Sequence, residues 1–374
     1  MKPRVSVQRL VVVLIGMLTV VGHVVLAQPD STRPWQALTG DLEQLRQELA
    51  LPGMSVAVLL DQQVVYARGF GLADIDREVA ATESTPYHIA SLTKPFSAVL
   101  VMRLVEAGLL SLDSRMRDLC AESVFIVNDE EVHGYDTLCE KLVGLINHPC
   151  AEYDFTLRHH LSHTARGVPG ERYRYTGWLF GLVTEAVEAV TRRDFADLLA
   201  QEITGPLGLS STVPNLSAVR TQQVLDQRAL PYRIVGGNRH EFSRFPSHIR
   251  ASAGMVSTVL DLARFDIAID RNELLTQASS DTMWNPMTLN DGSIAPYGLG
   301  WYVQDLDAVG RVYWHAGWQP DMYSGLYLKV PTAGATFLML ANSDGASASF
   351  DLSLGDVRRS PFAQRFLELL VELR

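Results

Sequence analysis

The chain has 374 residues, of which 47% are hydrophobic and 20% are charged, so it is long and apolar enough to bury a large core. Its net charge of −10 at pH 7 argues against nucleic acid or an anionic membrane surface as the main partner. A small-molecule or peptide substrate is the partner class that this composition leaves open.

The N-terminus differs in composition from the rest of the chain. Lys2, Arg4 and Arg9 precede an apolar run, and small residues end at Ala27, which is the pattern of a secretory signal peptide spanning residues 1–27. The alternative is an uncleaved membrane anchor, but the run is short for a full span and glycine and polar residues interrupt it. We therefore predict a periplasmic or secreted protein without stable membrane insertion once the signal is cleaved.

Strand patterns lie near both ends of the chain and helical patterns lie in the middle. A helix is predicted over Trp35–Leu49, and the strands MSVAVLLD and QQVVYARGFG follow as a hairpin that turns at Asp61-Gln62. A helix is predicted from Ser91 to about Glu106. Further helical patterns are Leu157–His163, Trp178–Val190, Asp194–Ile203 and Asp261–Ile269. The last third holds the strand patterns YGLGWYV, GRVYWHAGW, MYSGLYLKV and ATFLMLANS, and a final helix, Pro361–Leu373.

This order of elements predicts an α+β fold, an α/β sandwich. Residues 35–90 and 291–374 would form one antiparallel sheet flanked by the terminal helices, and residues 91–290 would form an inserted, mainly helical subdomain. We expect a ligand cleft between the two parts.

Cysteine and histidine residues raise the question of a metal site. Cys120, Cys139 and Cys150 lie close together in the sequence, and in an oxidising compartment they predict one local disulfide and one free thiol, with the pairing open. Their spacing fits no zinc pattern. His159 and His163 are four residues apart, but HHLSH lacks the glutamate of a metalloprotease motif, so we predict no metal.

Lysine is rare in this chain, and one of its four lysines belongs to the sequence Ser91-Leu92-Thr93-Lys94. Three residues make nearly one helical turn, so the serine hydroxyl and the lysine amine share a face. A serine needs a base to take its proton, and a buried lysine can lose its charge whereas arginine in practice cannot. The motif predicts Ser91 as nucleophile and Lys94 as base, although a helix start with an exposed lysine fits the same four residues.

Six ordered pieces of sequence give this motif a context. They are HIASLTKPFSAVLVMRLVEAGLLSLD, TLRHHLSHTARGVPGERYRYTGWLFGLVTEAVEAVT, ITGPLGLSST, ASAGMVSTVLDLARFDIAI, YGLGWYV and WHAGWQPDMYSG. In these pieces the chain resembles the class C β-lactamase, serine-esterase and D-peptidase branch of the β-lactamase-related serine hydrolases, which share S-x-x-K with penicillin-binding proteins. The resemblance implies a β-lactamase/transpeptidase-like fold over residues 28–374. It also implies cleavage of a short acyl ester, a D-amino-acid peptide or a β-lactam through an acyl-enzyme at Ser91, without metal or organic cofactor.

The resemblance also implies roles for further residues. Tyr175 takes the place of the tyrosine in a Y-x-N motif, a base when deprotonated and later a proton donor. His315 and Gly317 take the place of the K-T-G or H-x-G element on a sheet-edge strand, where the glycine lets the substrate approach. The backbone N–H groups of Trp318 and Ser91 would form the oxyanion hole.

Three positions depart from the family pattern. Gly177 replaces an asparagine that orients the lysine and the substrate amide, which predicts weaker β-lactam or peptide hydrolysis and leaves ester hydrolysis possible. His315 in place of lysine favours the esterase and D-peptidase-like branch. Residues 119–155 look like an insertion that would cover the cleft. These departures leave one alternative, a catalytically impaired member that binds cell-wall fragments or a protein partner.

Overall fold

A computed structural model describes residues 33–128, 130–146, 149–150, 152–214, 219–235, 238–241 and 249–373. The signal peptide predicted over residues 1–27 lies outside this part of the chain. None of the helices in the described ranges combines the length and the apolarity that crossing a bilayer requires.

The strands lie mainly at the two ends of the chain. In the described residues they are β1 (Gly53–Leu60), β2 (Gln63–Asp74), β3 (Val79–Ala80), β4 (Tyr87–His88), β5 (Val124–Val127), β6 (Glu130–His133), β7 (Tyr232–Val235), β8 (Asn238–Glu241), β9 (Val256–Ser257), β10 (Tyr302–Leu306), β11 (Gly310–Gln319), β12 (Tyr323–Val330) and β13 (Ala335–Ala341). Seven of them form one sheet in the order β10-β11-β12-β13-β1-β2-β3. N-terminal and C-terminal strands therefore meet in a single sheet, and every pair in it is antiparallel, which confirms the predicted fold class.

Helices cover both faces of this sheet. In the described residues they are α1 (Arg33–Glu48), α2 (Thr93–Glu106), α3 (Met116–Leu119), α4 (Tyr135–Ile146), α5 (Leu157–Leu161), α6 (Gly177–Gly181), α7 (Val183–Thr191), α8 (Phe195–Leu199), α9 (Val219–Asp226), α10 (Val259–Asp270), α11 (Gln277–Trp284) and α12 (Pro361–Glu372). The terminal helices α1 and α12 pack together against one face, and α2 and α10 lie against the other.

Strand β1 is apolar without interruption from Val56 to Leu60. Side chains alternate between the two faces of a strand. Val56 and Val58 belong to the core formed with α1 and α12, whereas Ala57 and Leu59 belong to the core formed with α2 and α10. Because both faces are covered, neither set of positions is polar.

Two local predictions had different outcomes. The hairpin is confirmed, because Asp61 and Gln62, with φ of 47° and 61°, join β1 to β2 in the left-handed turn that suits the strand twist. The strand predicted over YGLGWYV is wrong at its start, since β10 begins only at Tyr302. The preceding residues make a tight turn in which Gly298 N–H bonds to the Trp301 carbonyl, and Gly300 has a φ of 76° that favours glycine.

The middle of the chain is helical but also carries short strands. Strands β5 and β6 pair as a hairpin, as do β7 and β8, and β4 pairs with β9. Cys139 and Cys150 form a disulfide and Cys120 is a buried free thiol, which confirms one local disulfide and one free cysteine.

Candidate active site

Ser91 lies in a tight turn between the sheet and α2. A 3₁₀ turn over Ala90–Leu92 precedes α2, whose second residue is Lys94. Ala90 has a φ of 49°, a strained value for a residue with a side chain. The Thr93 hydroxyl donates to the Ala90 carbonyl at 2.8 Å and holds this conformation. The turn therefore presents Ser91 at the end of a buried helix rather than within it.

Three polar groups meet at the Ser91 hydroxyl. Lys94 Nζ lies 2.8 Å from Ser91 Oγ, and the Tyr175 hydroxyl lies 2.9 Å from the same oxygen. Lys94 Nζ also donates to the Ser252 carbonyl at 2.9 Å. The side chains that the sequence singled out, separated by up to 84 positions, thus form one hydrogen-bonded cluster.

The burial of this cluster decides which group can act as the base. Burial lowers the pKa of Lys94 from 10.5 to about 7, so near neutral pH the amine is uncharged in a large fraction of molecules. Burial raises the pKa of the Tyr175 phenol above its usual value, so this group stays protonated. We infer that Lys94 takes the Ser91 proton and that Tyr175 donates a hydrogen bond or a proton, which differs from the deprotonated tyrosine that the resemblance implied.

The reactivity of Ser91 is expected to follow the titration of Lys94. Because only the neutral amine accepts a proton, the rate of Ser91 modification by a fluorophosphonate should rise with pH around a midpoint of about 7. Stopped reactions analysed by mass spectrometry between about pH 5 and pH 10 would give this profile. A rate that is constant over this range would contradict Lys94 as the base.

Tyr175 is fixed by the loop that carries it. His163 accepts a hydrogen bond from the Thr176 N–H at 3.2 Å through Nδ1, and its carbonyl accepts the Arg174 N–H at 2.8 Å. Its ring lies 4.2 Å from the Tyr175 ring, centroid to centroid. Burial, followed by the nearby Lys94 amine, lowers the pKa of His163 well below its usual range. His163 is therefore a neutral support for Tyr175.

His315 lies behind the cluster. Its Nδ1 is 2.8 Å from the Ala316 carbonyl and its Nε2 is 2.8 Å from the Tyr297 hydroxyl, so both ring nitrogens have partners within the protein. Burial, followed by the Lys94 amine, lowers the pKa of His315 well below its usual range. A neutral, fully hydrogen-bonded imidazole is not a carboxylate receptor, so the geometry favours a supporting role over the direct substrate contact that the resemblance implied.

Gly317 and Trp318 lie on an open stretch of β11. Strand β10 pairs with β11 only as far as Trp314, so the edge of the strand beyond that residue is not covered by β10. The Ser91 turn packs there so closely that a Cβ on Gly317 would lie 2.7 Å from the Ile89 carbonyl oxygen. Glycine thus allows the close approach of the two backbones that an oxyanion hole formed by Ser91 and Trp318 requires.

Gly177 begins α6, close to the Tyr175 loop. Apart from its chain neighbours and the backbone of its own helix, no described atom lies within 4 Å of the position that a Cβ on Gly177 would take, so a side chain could begin there without a clash. The Lys94 amine instead has the Ser252 carbonyl as its second partner. A backbone oxygen is therefore the acceptor of this lysine besides Ser91.

A cavity of about 230 Å³ opens at Ser91. Tyr175, His315 and Trp318 line one side, and five residues between 347 and 353 line the other. None of the described residues of 119–155 lines it, so the expectation that this segment covers the cleft is not met in the part of the chain that the structure describes. A larger cavity of about 540 Å³ lies between residues 118–124 and α7, but it lacks the nucleophile cluster, so we place the site at Ser91.

The candidate metal-binding histidines serve other purposes. His159 Nδ1 contacts both the Thr156 N–H and the Thr156 hydroxyl, and His160 Nδ1 contacts the Leu179 carbonyl at 2.7 Å. Within the described ranges, no group of three His, Cys, Asp or Glu side chains is placed to hold a metal ion.

Sequence reasoning missed several residues of the site. The Ser252 carbonyl was not foreseeable, because a backbone atom carries no residue-type signal. Tyr297, which contacts His315, and Ser353, whose carbonyl accepts the Tyr173 hydroxyl at 3.1 Å, also escaped prediction. His163 was visible in the sequence as the last residue of HHLSH, but only the fold brings its ring against Tyr175.

A comparison with protein-family models matches residues 38–355 to the Beta-lactamase family. The chain belongs to the beta-lactamase family. This match confirms the resemblance seen in the six sequence pieces, and it places the chain in a family of beta-lactamase-fold serine hydrolases.

Individual relatives of this beta-lactamase-family chain are distant. It is 22% identical over 320 residues to penicillin-binding protein 4* of Bacillus subtilis, covering 75% of this chain and 66% of that protein. It is 28% identical over 271 residues to a D-aminopeptidase of Gluconobacter oxydans, covering 67% of this chain and 48% of that protein. The chain therefore spans about half to two thirds of the length of these curated relatives.

The fold is also similar to that of solved structures. An octameric penicillin-binding protein homologue from Pyrococcus abyssi superposes with a TM-score of 0.68 at 23% identity, covering 90% of this chain and 77% of that one. At this identity the likeness establishes the β-lactamase/transpeptidase architecture and leaves the substrate to be argued from the site.

Proposed function

We propose that this protein is a serine hydrolase that cleaves an ester or amide bond through an acyl-enzyme at Ser91. The observation that carries this proposal is the contact of one serine oxygen with both a buried amine, Lys94, at 2.8 Å and a phenol, Tyr175, at 2.9 Å. The amine would take the serine proton as Ser91 attacks the carbonyl, and the phenol would help return it to the leaving group. Water would then attack the carbonyl of the acyl-enzyme, give a proton to the amine and form the acid product, while the bond to Ser91 Oγ breaks and the serine oxygen regains a proton.

The charge around the cavity narrows the proposed substrate. Among its described lining residues Asp351 is the one carboxylate, none is a lysine or an arginine, and His315 is neutral. A carboxylate on the substrate would therefore find no fixed positive partner on these walls. We favour short neutral acyl esters, or amides that carry a free amine as D-amino-acid substrates do, over β-lactams. The D-aminopeptidase relative supports the amide branch of this proposal.

The predicted signal peptide supports a location outside the cytoplasm. Release from the membrane after cleavage at Ala27 would leave a periplasmic or secreted enzyme. The Cys139–Cys150 disulfide is consistent with this proposal, since such bonds persist in oxidising compartments.

Substitution of Ser91 by alanine is expected to abolish covalent labelling. Wild-type protein should hydrolyse short-chain p-nitrophenyl esters and should gain the mass of one fluorophosphonate adduct on the peptide that contains Ser91, whereas Ser91→Ala should do neither. Ser353→Ala is the matched control, because Ser353 lines the same cavity and donates to Asp351 at 2.8 Å instead of to the Lys94–Tyr175 pair. An unlabelled wild type, or equal turnover by wild type and Ser91→Ala, would contradict the proposal.

A non-catalytic binding role is less well supported. That role predicts a cleft filled by residues 119–155, or loss of the Ser91–Lys94–Tyr175 contacts. The cavity is instead free of the described residues of 119–155, and the Ser91 oxygen keeps both its contact with Lys94 and its contact with Tyr175. If a cell-wall fragment bound equally to wild type and Ser91→Ala without turnover, the binding role would replace the hydrolase.

A further inference from the structure

A short backbone reversal supplies the second partner of the Lys94 amine. The Arg250 N–H bonds to the Ala253 carbonyl at 2.9 Å, and the Ala253 N–H bonds back to the Arg250 carbonyl at 3.1 Å. The Ser252 carbonyl, inside this turn, accepts from Lys94 Nζ at 2.9 Å. The position of the Lys94 amine therefore depends on how firmly the turn is held.

Helix α7 holds the turn from outside the site. The Thr184 hydroxyl oxygen accepts the Ala251 N–H at 2.8 Å. The next residue of the helix, Glu185, forms an ion pair with the Arg250 guanidinium, which also donates to the Gly181 carbonyl at 3.3 Å. Two adjacent helix residues thus fix two adjacent residues of the turn.

Helix α2 holds the same turn from the other side. The Ser97 hydroxyl donates to the Ala251 carbonyl at 2.8 Å, one helical turn along from Lys94. The turn is therefore tied to the helix that carries Lys94 and also to α7.

The Glu185–Arg250 ion pair requires the desolvation of a carboxylate, which costs free energy. The Glu185 side chain is only 7% exposed, whereas the Arg250 side chain is 39% exposed. Burial raises the pKa of Glu185, and the Arg250 charge opposes that rise. A buried carboxylate is retained in a fold only when a partner compensates its desolvation, so each member of the pair depends on the other.

We propose that Thr184, Glu185 and Arg250 are positioning residues, which fix the Ser252 carbonyl and so keep the Lys94 amine dry and directed at Ser91. The proposal rests on the hydrolase function proposed above and adds to it a support that lies outside the cavity. Because Gly177 has no side chain to offer a hydrogen-bond acceptor, the Ser252 carbonyl is the acceptor that Lys94 has besides Ser91.

Among the residues that the structure describes, no fixed charge beside Lys94 offers a competing explanation for its titration. The titratable groups that face it are Tyr175, whose pKa burial raises, and His163 and His315, whose pKa values burial lowers. All three are uncharged near neutral pH. The exclusion of water by the surrounding protein, including the turn, therefore sets the pKa of Lys94.

Thr184→Val and Arg250→Gln test the proposal by loosening the turn at separate points. Valine keeps the shape of threonine but removes the acceptor, so the turn should shift and admit water to Lys94. We expect the Lys94 titration midpoint, followed by NMR of ¹³C-labelled lysine in a chain with only four lysines, to rise by about one pH unit or more in both variants. Thr184→Ser, which keeps the acceptor, should retain the wild-type midpoint.

The pH dependence of kcat/KM is a second measurement that tests the proposal. A rise of about one pH unit would cut the neutral fraction of Lys94, and hence kcat/KM, about fivefold at pH 7, and the deficit should vanish at alkaline pH. A merely structural role would lower the rate equally at every pH. Arg264→Gln is the control, since it breaks a comparable pair in which Asp261 is 2% exposed and Arg264 is 57% exposed.

Unchanged midpoints in both Thr184→Val and Arg250→Gln, in folded protein, would overturn the proposal. If one variant does not fold, the other decides alone, because each variant removes a different contact of the turn. Failure of the hydrolase function looks different: wild-type protein would not react with a fluorophosphonate although Lys94 still titrated near pH 7, and the NMR comparison would still decide whether the turn positions the amine.

Discussion

Replacement of Lys94 by methionine is expected to slow acylation of Ser91 about 10²- to 10⁴-fold, the usual contribution of a general base. Methionine nearly fills the volume of lysine in a site where the Lys94 side chain is fully buried, so the fold should persist. The second expected change is loss of the rise in reactivity near pH 7, because no other group of the cluster titrates there. Single-turnover labelling of Ser91 across the pH range measures both changes.

Lys94→Arg should be at least as inactive, because arginine keeps its proton. It should also be less stable, since no carboxylate partner of Lys94 lies among the described residues to compensate a permanent buried charge. Lys141→Arg is the control, because Lys141 is 37% exposed and pairs with Glu130 far from the site. Retention of more than about a tenth of the wild-type acylation rate by Lys94→Met would mean that another group acts as the base.

Replacement of Lys329 by methionine is expected to cost about 3–5 kcal/mol of the free energy of unfolding, as breaking one side of a buried ion pair does. Lys329 Nζ lies 2.9 Å from Asp266 and 2.7 Å from Asp270. Burial opposes its charge, but the two carboxylates outweigh burial and raise its pKa. Without Lys329 the two carboxylates would remain close together, with the Asp266 side chain only 2% exposed.

Urea unfolding of wild type and Lys329→Met gives this difference directly. Lys141→Met is the matched control, since an exposed ion pair contributes at most about 1 kcal/mol. A loss below that limit for Lys329→Met would show that Asp266 and Asp270 find other partners, such as the Tyr327 and Thr336 hydroxyls that already contact Asp266. Hydrolase activity at low denaturant should be unchanged, because this ion-pair network is separate from the cavity at Ser91.

These two buried lysines illustrate what a sequence can indicate. The four residues of S-x-x-K place Ser91 and Lys94 on one turn of backbone, so their proximity follows from local geometry. The partners of Lys329 are Asp270 and Asp266, which lie 59 and 63 positions away in the sequence. The residues next to Lys329 give no indication of these partners. Burial lowers the pKa of one lysine and paired carboxylates raise that of the other, although both stand in apolar stretches.

The fold was predicted from the alternation of apolar and polar residues in strands and from the spacing of apolar residues in helices. Both patterns can be seen within a short stretch of sequence. That is why β1, β2 and the hairpin turn between them could be predicted. The turn before β10 could not, because Gly298 and Gly300 interrupt an otherwise strand-like apolar run with backbone conformations that the composition alone does not reveal. The path of residues 119–155 also depends on tertiary structure. The described residues of this segment do not line the cavity at Ser91, and five residues between 347 and 353, near the other end of the chain, form one of the cavity walls instead.

The sequence by itself was enough to predict the candidate nucleophile and the amine three residues later, and to indicate the family, because these depend on short spacings and on ordered motifs. Only the tertiary structure decided that Lys94 is uncharged in part at neutral pH, that Tyr175 stays protonated and that the nitrogens of His315 are already occupied. Each of these properties depends on how far the folded protein excludes water from the side chain and on hydrogen-bond partners from distant segments of the chain. The same holds for the contact between the Lys94 amine and the Ser252 carbonyl, which lie 158 positions apart.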